Sequence, residues 1–224
     1  MDFITVTIDG PAGAGKSTVA LGVSKVLGFR SLNVGQIYRA IAFKYLKLGS
    51  PKIDSEEDIK KFVDALNVRL DYIDNEQHTF CDGEDITHEL HTQRINKVVA
   101  DIAPFPEVRA YVIKIQRNTA AQNNIVADGR DVGTNVLPGA RFKIYLTASI
   151  EVRAERRVKE LLEYGDNSVT YEQILKEMSQ RDDCDANRKH GKMKAASDAI
   201  IIDTTDMTID EVIEAIVEIV TKGK

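Results

Sequence analysis

Residues 10–17 read Gly-Pro-Ala-Gly-Ala-Gly-Lys-Ser. They fit G-x-x-x-x-G-K-[ST], the pattern of a loop that cradles phosphates. The apolar run Ile4–Ile8 precedes it and a helical run, Lys16–Leu27, follows; this strand–loop–helix context is the one the motif requires. Glycines let the backbone take left-handed angles, so that successive N–H groups point inward. The following helix adds the positive end of its dipole. Lys16 brings a point charge to the β- and γ-phosphates of a nucleoside triphosphate, and the Ser17 hydroxyl suits Mg²⁺. The glycine spacing does not fit G-x-G-x-x-G, which disfavours a dinucleotide site. A GTPase switch, an ATPase motor and a small-molecule kinase all share such a loop, so the rest of the chain must choose among them.

Arginines make that choice. Phosphoryl transfer between two anions is limited by repulsion, and catalysis rests mainly on positioning and charge neutralisation. A kinase with a phosphate acceptor therefore carries more arginines than a GTPase needs. Arg39 follows what reads as a glycine turn at Asn33-Val34-Gly35. Asp128-Gly129-Arg130-Asp131 follows the apolar run Ile125–Ala127, and charges beyond the end of a buried parallel strand sit where α/β ligands bind. Helical spacing puts Arg153, Arg156 and Arg157 on one face, and likewise Arg181, Asp185 and Arg188. Such acid- and arginine-rich helices read equally well as solvated faces.

Five short apolar runs must position these groups: Ile4–Ile8, Arg30–Leu32, Ile125–Ala127, Phe142–Leu146 and Ile200–Ile202. Most lack polar alternation, as strands buried on both faces of a parallel sheet do. Their alternation with helical runs predicts an α/β sheet with ligands at the carboxyl ends of its strands. Ile209, Val212, Ile213, Ile216 and Val220 predict a last helix, opened by a Thr208/Glu211 capping box. Two segments interrupt the rhythm. Between about Ile53 and Leu90, Val68–Ile73 and His78–Cys81 predict strands around an Asp74–Asn75 turn, with a further turn at Asp82–Gly83. A helix over Thr92–Ala103 follows, broken near Pro104 and Pro106. The charge-dense stretch from about Glu151 to Lys194 predicts two exposed helices around a Tyr164–Asn167 turn.

Length and composition exclude several classes. At 224 residues, with 43% hydrophobic and 29% charged side chains, the chain is not largely disordered. One compact domain over residues 1–224, with insertions, is expected. A net charge of -5 leaves no footprint for a nucleic-acid polymer, yet local arginines can still hold a small anion. No apolar stretch approaches the roughly 20 residues of a membrane span, and the N-terminus does not read as a signal peptide. Cys81 and Cys184 read as free thiols of a reducing compartment. His88 and His91 stand at i,i+3, but no third metal ligand of suitable type accompanies them, so a surface pair is expected. Tyr38 could lie under a base or fill the core.

The sequence resembles the bacterial cytidylate kinases, within the nucleoside monophosphate kinases, over nearly its whole length. The resemblance is carried by Ile8-Asp9 with the phosphate loop, Gly35-Gln36-Ile37-Tyr38-Arg39-Ala40, Pro106-Glu107-Val108-Arg109 and Asp128-Gly129-Arg130-Asp131-Val132-Gly133-Thr134. Arg181-Asp182 with Asp185 and Arg188, and Ala199-Ile200-Ile201-Ile202-Asp203-Thr204-Thr205, complete it. It implies a P-loop core with a five-stranded parallel sheet flanked by helices. It also implies a lid at about residues 151–190 and an acceptor-binding insert at about 40–105 holding a small antiparallel sheet. The implied reaction is ATP + CMP to ADP + CDP, with dCMP also accepted and Mg²⁺ required, by a cytoplasmic monomer.

The resemblance also implies roles. Gly10, Pro11, Ala12, Gly13, Ala14, Gly15, Lys16, Ser17 and Thr18 hold ATP together with Arg157, and Ser17 is the metal contact. Arg39, Arg130 and Arg188 hold the acceptor phosphate. Arg181 and Asp185 lie near the acceptor sugar and the transferring phosphate, and Arg109 and Asp131 read the cytosine edge. Lys16, Arg130, Arg181 and Arg188 are the catalytic set. A carboxylate can accept from the cytosine N4 amine, whereas uracil would face Asp131 with another acceptor. Two positions depart from the family: Asn33-Val34-Gly35 replaces the usual Asp-Thr-Gly or Asp-Ser-Gly, and Ala100 stands where a serine is common. Both remove polar groups on the acceptor side only. The alternatives are another small-molecule P-loop kinase, with UMP or AMP as acceptor, and a non-catalytic nucleotide-binding module.

Overall fold

The computed structural model describes residues 3–74, 76–90, 92–163, 169–188 and 191–223. In chain order the elements are β1 (Thr5–Asp9), α1 (Lys16–Leu27), β2 (Arg30–Asn33), α2 (Val34–Lys47), α3 (Glu56–Asp64), β3 (Val68–Ile73), β4 (Glu76–Cys81) and β5 (Glu84–Asp85). Then come α4 (Gln93–Ile102), α5 (Pro106–Ala120), β6 (Ile125–Gly129), β7 (Phe142–Thr147), α6 (Ile150–Glu163), α7 (Tyr171–Asn187), β8 (Ile200–Asp203) and α8 (Ile209–Lys222). The five-stranded sheet has the order β2-β6-β1-β7-β8 and the three-stranded sheet the order β3-β4-β5. The chain divides into two compact units, Met1–Phe29 with Asn124–Lys224, and Arg30–Asn123.

In the first unit β1 is flanked by β6 and β7, both parallel to it. The register sets Asp9 level with Gly129 and with Tyr145, so β1 and β6 end together and β7 two residues further on, the place where α/β sheets take ligands. Val6 and Ile8 are fully buried and pack with Val19, Ala20 and Val23 of α1 and Val212, Ile216 and Val220 of α8. Each such side chain contributes about 1.5–3 kcal/mol by leaving water. Thr208 and Glu211 form the expected capping box of α8. β8 differs from expectation: Ile200 and Ile201 are 45% and 63% exposed. It pairs with β7 at the edge of the sheet, and its branched side chains favour extended backbone even where only one side is covered.

The second unit holds the small antiparallel sheet, with β3 and β4 in register from Val68↔Cys81 to Ile73↔Glu76. Tyr111 on α5 ties to β3, its hydroxyl donating to the Leu66 carbonyl at 3.2 Å and accepting from Val68 N at 3.0 Å. The expected glycine turn at Asn33-Val34-Gly35 is instead the first turn of α2, and Asn33 is its N-cap, accepting from Gln36 N at 3.3 Å. Three helices, α2, α3 and α5, stand where none was expected. Pro106 starts α5 rather than ending α4, because proline at the first helical position gives up an N–H that would have no partner anyway. The expected turns at Asp74–Asn75 and Tyr164–Asn167 include residues outside those described, as does His91. His88 lies in an exposed 3₁₀ turn. Cys81 is buried, Cys184 is exposed, and both are free.

Candidate active site

The loop between β1 and α1 needs its glycines. Gly10 has φ +147° and a Cβ there would lie 2.0 Å from the Leu146 carbonyl oxygen. Gly13 has φ +75°, and a Cβ would meet the Met178 methyl at 2.7 Å and the Arg153 Cβ at 2.9 Å. Gly15, at φ +81°, precedes α1 with no side-chain cap and no acid in the first turn. The first N–H groups of a helix have no partner within it, so this end is open to an anion. Thr18 is exposed on that same first turn.

Lys16 is only 6% exposed and its Nζ donates to the Pro11 carbonyl at 2.6 Å. Burial, then the positive charge of Arg130, brings its ammonium down to about 7. A cation placed so wants an anion, which would restore its proton affinity. Beside it the Ser17 hydroxyl donates to Asp128 Oδ2 at 2.7 Å, and burial raises the Asp128 carboxyl. Serine and carboxylate oxygens are hard donors suited to a small divalent cation completed by phosphate oxygens and water. Among the described residues no group of three His, Cys, Asp or Glu could hold a metal by itself.

Asp9 closes the floor of the site. It is 4% exposed, and its two oxygens accept from Val132 N at 2.8 Å and Gly133 N at 2.7 Å. Burial lifts its carboxyl to about 6 against those two bonds. The bonds fix a π-helical turn, Val132–Val136, directly after Arg130 and Asp131. Asp131 is buried and accepts from Asn135 Nδ2 at 3.1 Å. Arg130 Nε donates to Asp185 Oδ2 at 2.8 Å, and Arg188 Nη2 lies 3.4 Å from Asp185 Oδ1. That second contact is an ion pair without hydrogen-bond geometry, since Arg188 Nε and Nη2 are buried with no hydrogen-bond partner among the described residues. Buried donors left so are costly, and an anion beside them would remove the cost. Arg181 is exposed as a whole, and desolvation followed by the charge of Arg130 lowers its guanidinium.

Arg130, Arg181, Asp185 and Arg188 thus gather at one end of α7, but not through helical spacing alone. α7 ends at Asn187 and Arg188 is extended, at φ -60° and ψ 149°. Arg153, Arg156 and Arg157 all lie on α6, but their guanidinium groups part company. Arg156 donates twice to Thr204, at 3.1 and 2.6 Å, while Arg157 is exposed and pairs with Glu160 at 2.6 Å. Arg153 turns inward instead. Nor are α6 and α7 merely exposed helices, for Ala154, Ile174 and Met178 form a small buried cluster.

In the second unit Arg39 is half-buried on α2, its Nε donating to Asn96 Oδ1 at 3.1 Å. Burial lowers its guanidinium. Gln36 Oε1 accepts from Gln77 and Thr79, and Gln77 bonds the backbone of Asn33, so that neutral groups pin the start of α2. Arg109 and Tyr38 are half-buried on α5 and α2. Val34 is half-buried in the first turn of α2 and Ala100 is exposed on α4. Sequence reasoning gave no role to Asp9, though an acid at the carboxyl end of an apolar strand is a signal. It named Asp128 only as part of a charged turn and Arg153 only as one of three arginines on α6, and nothing in the sequence pointed Arg153 at the loop.

Known proteins place this arrangement. The family model described as cytidylate kinase matches residues 6–222. The cytidylate kinase of Caldanaerobacter subterraneus subsp. tengcongensis is 43% identical over 220 residues, spanning 98% of this chain and 96% of that protein. That of Carboxydothermus hydrogenoformans is 40% identical over 215 residues, 96% of each. A shikimate kinase from Bacteroides thetaiotaomicron shares the fold, with a TM-score of 0.50 at 11% identity over 97% of this chain and 98% of its own. Identity at this level along nearly the full length, with the family model matched over residues 6–222, means that the chain belongs to the cytidylate kinase family.

Proposed function

We propose that the chain transfers the γ-phosphoryl group of ATP to CMP or dCMP, giving ADP and CDP or dCDP. The observation that carries this reading is the juxtaposition, within one unit, of a glycine loop around Lys16 and a cluster of Arg130, Arg181 and Arg188 around Asp185. Loop residues Gly10 to Thr18 take the donor phosphates, and Arg157 is assigned to ATP. Arg130, Arg188 and Arg39 are assigned to the acceptor phosphate. Arg181 and Asp185 serve the acceptor sugar and the transferring group, while Asp131 and Arg109 read the cytosine edge.

An acceptor phosphate oxygen forms the new bond to the γ-phosphorus, the bond from that phosphorus to the bridging oxygen breaks, and ADP leaves with the electron pair. The acceptor is already an oxyanion, so no general base is required. Guanidinium groups and Lys16 stabilise charge on the equatorial oxygens. Mg²⁺, held by Ser17 with support from Asp128, would neutralise donor-phosphate charge. Asp128 is a weaker proton holder once a cation lies beside it. α6 and α7 exclude water from the transferring group. Among the described residues no helix is long and apolar enough to cross a membrane.

A coupled assay of ADP release over CMP, dCMP, UMP, AMP and shikimate tests the reading. CMP and dCMP are expected to give the highest kcat/KM. A different preferred acceptor would overturn the cytidine assignment, and tight ATP binding without transfer would return the chain to a non-catalytic module.

A further inference from the structure

We infer that Arg153 is a positioning residue that ties the phosphate loop to the helix bearing Arg181 and Asp185, an inference that rests on the phosphoryl-transfer reading above. Most charges of α6 face water, yet Arg153 is 6% exposed. Its Nε donates to the Ala148 carbonyl at 3.0 Å, ahead of α6, and its Nη1 donates to the Ala12 carbonyl at 3.0 Å, in the phosphate loop. The same Nη1 lies 2.7 Å from Asp182 Oδ2 on α7. Asp182 is the immediate neighbour of Arg181. One planar fork thus holds three segments that are far apart in sequence, and a guanidinium can serve several acceptors in fixed directions where an ammonium cannot.

The surroundings set the distance that this fork spans. Gly13 lies so close to α6 and α7 that a Cβ would overlap both Arg153 and Met178. Ala12 packs against the buried cluster of Ala154, Ile174 and Met178. Apolar contact therefore holds loop and helices together, while the hydrogen bond of Arg153 to Ala12 and its ion pair with Asp182 set their register. Among the described residues Asp182 Oδ1 is buried with no hydrogen-bond partner. The carboxylate is held from one side, by Arg153, so its placement, and with it that of Arg181, follows the guanidinium. Asp182 is the carboxylate that balances the charge of the buried Arg153.

Steady-state kinetics of Arg153→Lys, Asp182→Asn and the double variant test the inference, with CDP and ADP both quantified and folding checked by cooperative melting. Arg153→Lys keeps the charge and loses the fork. Its kcat is expected to fall roughly 10- to 100-fold, the cost of a small misplacement, with the KM for CMP within about threefold of the wild type. ADP released per CDP formed is expected to rise, because a displaced α7 lets water compete for the phosphoryl group; a scaffold role alone would not move this ratio. Asp182→Asn should act in the same direction, and the double variant should lose no more than the worse single one. A folded Arg153→Lys with kcat within about twofold of the wild type and an unchanged ratio overturns the inference, as do additive losses. Failure of both single variants to fold assigns the pair to stability and overturns it too. A wild type that transfers nothing to CMP defeats the underlying reading instead.

Discussion

The two units meet the demands of binding anions in opposite ways. In the first, charged groups are buried against one another and against the backbone. Asp9 accepts two main-chain N–H bonds, Lys16 rests on a loop carbonyl, and Asp128 takes the Ser17 hydroxyl. Burial shifts the proton affinity of each of these three. In the second, the start of α2 is pinned by Asn33, Gln36, Gln77 and Thr79, and Arg39 leans on the neutral Asn96. Burying charge costs free energy that an incoming ligand can recover, which suits a site where charge builds up during reaction. Neutral amides hold an arginine in place without consuming its charge, which suits recognition of a bound anion. Transition-state loss is therefore expected from a lesion at the buried Lys16 of the first unit, and loss of acceptor affinity from a lesion at Arg39 of the second.

The largest expected effect tests the first half of that contrast. Lys16→Ala should lower kcat by roughly a thousandfold, the scale of removing a principal electrostatic stabiliser, while the fold survives in thermal melting. Near-normal turnover in a folded variant would remove the loop from the mechanism. Asp131→Ala should narrow the CMP-over-UMP ratio by about 5- to 150-fold, the value of one matched polar contact. An unchanged ratio would show that the base is read elsewhere. Arg39→Ala should raise the KM for CMP about tenfold, the scale of one charge-assisted hydrogen bond, with the KM for ATP unchanged. A drop in kcat at constant KM would erase the distinction between the units.

The smallest effect is the most specific. Lys16 titrates near 7 in the folded chain against 10.5 ordinarily. Between those values the folded state binds fewer protons than the unfolded one, so this group's contribution to stability rises with pH across that window. Phosphates beside it reverse the shift, so ATP binding at pH 8 should draw in up to about one proton, measured by calorimetry in buffers of different ionisation enthalpy. Absence of uptake would mean that Lys16 is already charged without nucleotide. Asp9 behaves oppositely: its carboxyl is raised from 3.8 to about 6, so its contribution to stability is lost as pH rises from about 4 to 6.

Local chemistry was legible in the sequence where backbone conformation dictates residue type. The loop glycines, the strands of the larger sheet and the capped α8 followed from spacing and propensity. α2 was hidden because Gly35 and a β-branched Val34 open it, and Asn33 reads as readily as a turn residue as a cap. α5 was hidden behind Pro106. Long-range bonds left no trace. Asp9 is separated from Val132 and Gly133 by 123 and 124 positions, and no periodicity announces that Arg153 turns to Ala12, 141 positions away. In a charge-rich helix such as α6 the residue that faces inward is chosen by partners that only folding supplies.

A crystal structure with a bisubstrate mimic, adenosine and cytidine joined through a phosphate chain, tests the central claim most directly. The adenosine-side phosphates are expected in the Gly10–Ser17 loop beside Lys16, and the cytidine phosphate against Arg130 and Arg188, with the unpartnered Arg188 donors occupied. A cytidine half seated away from those two arginines would contradict the account.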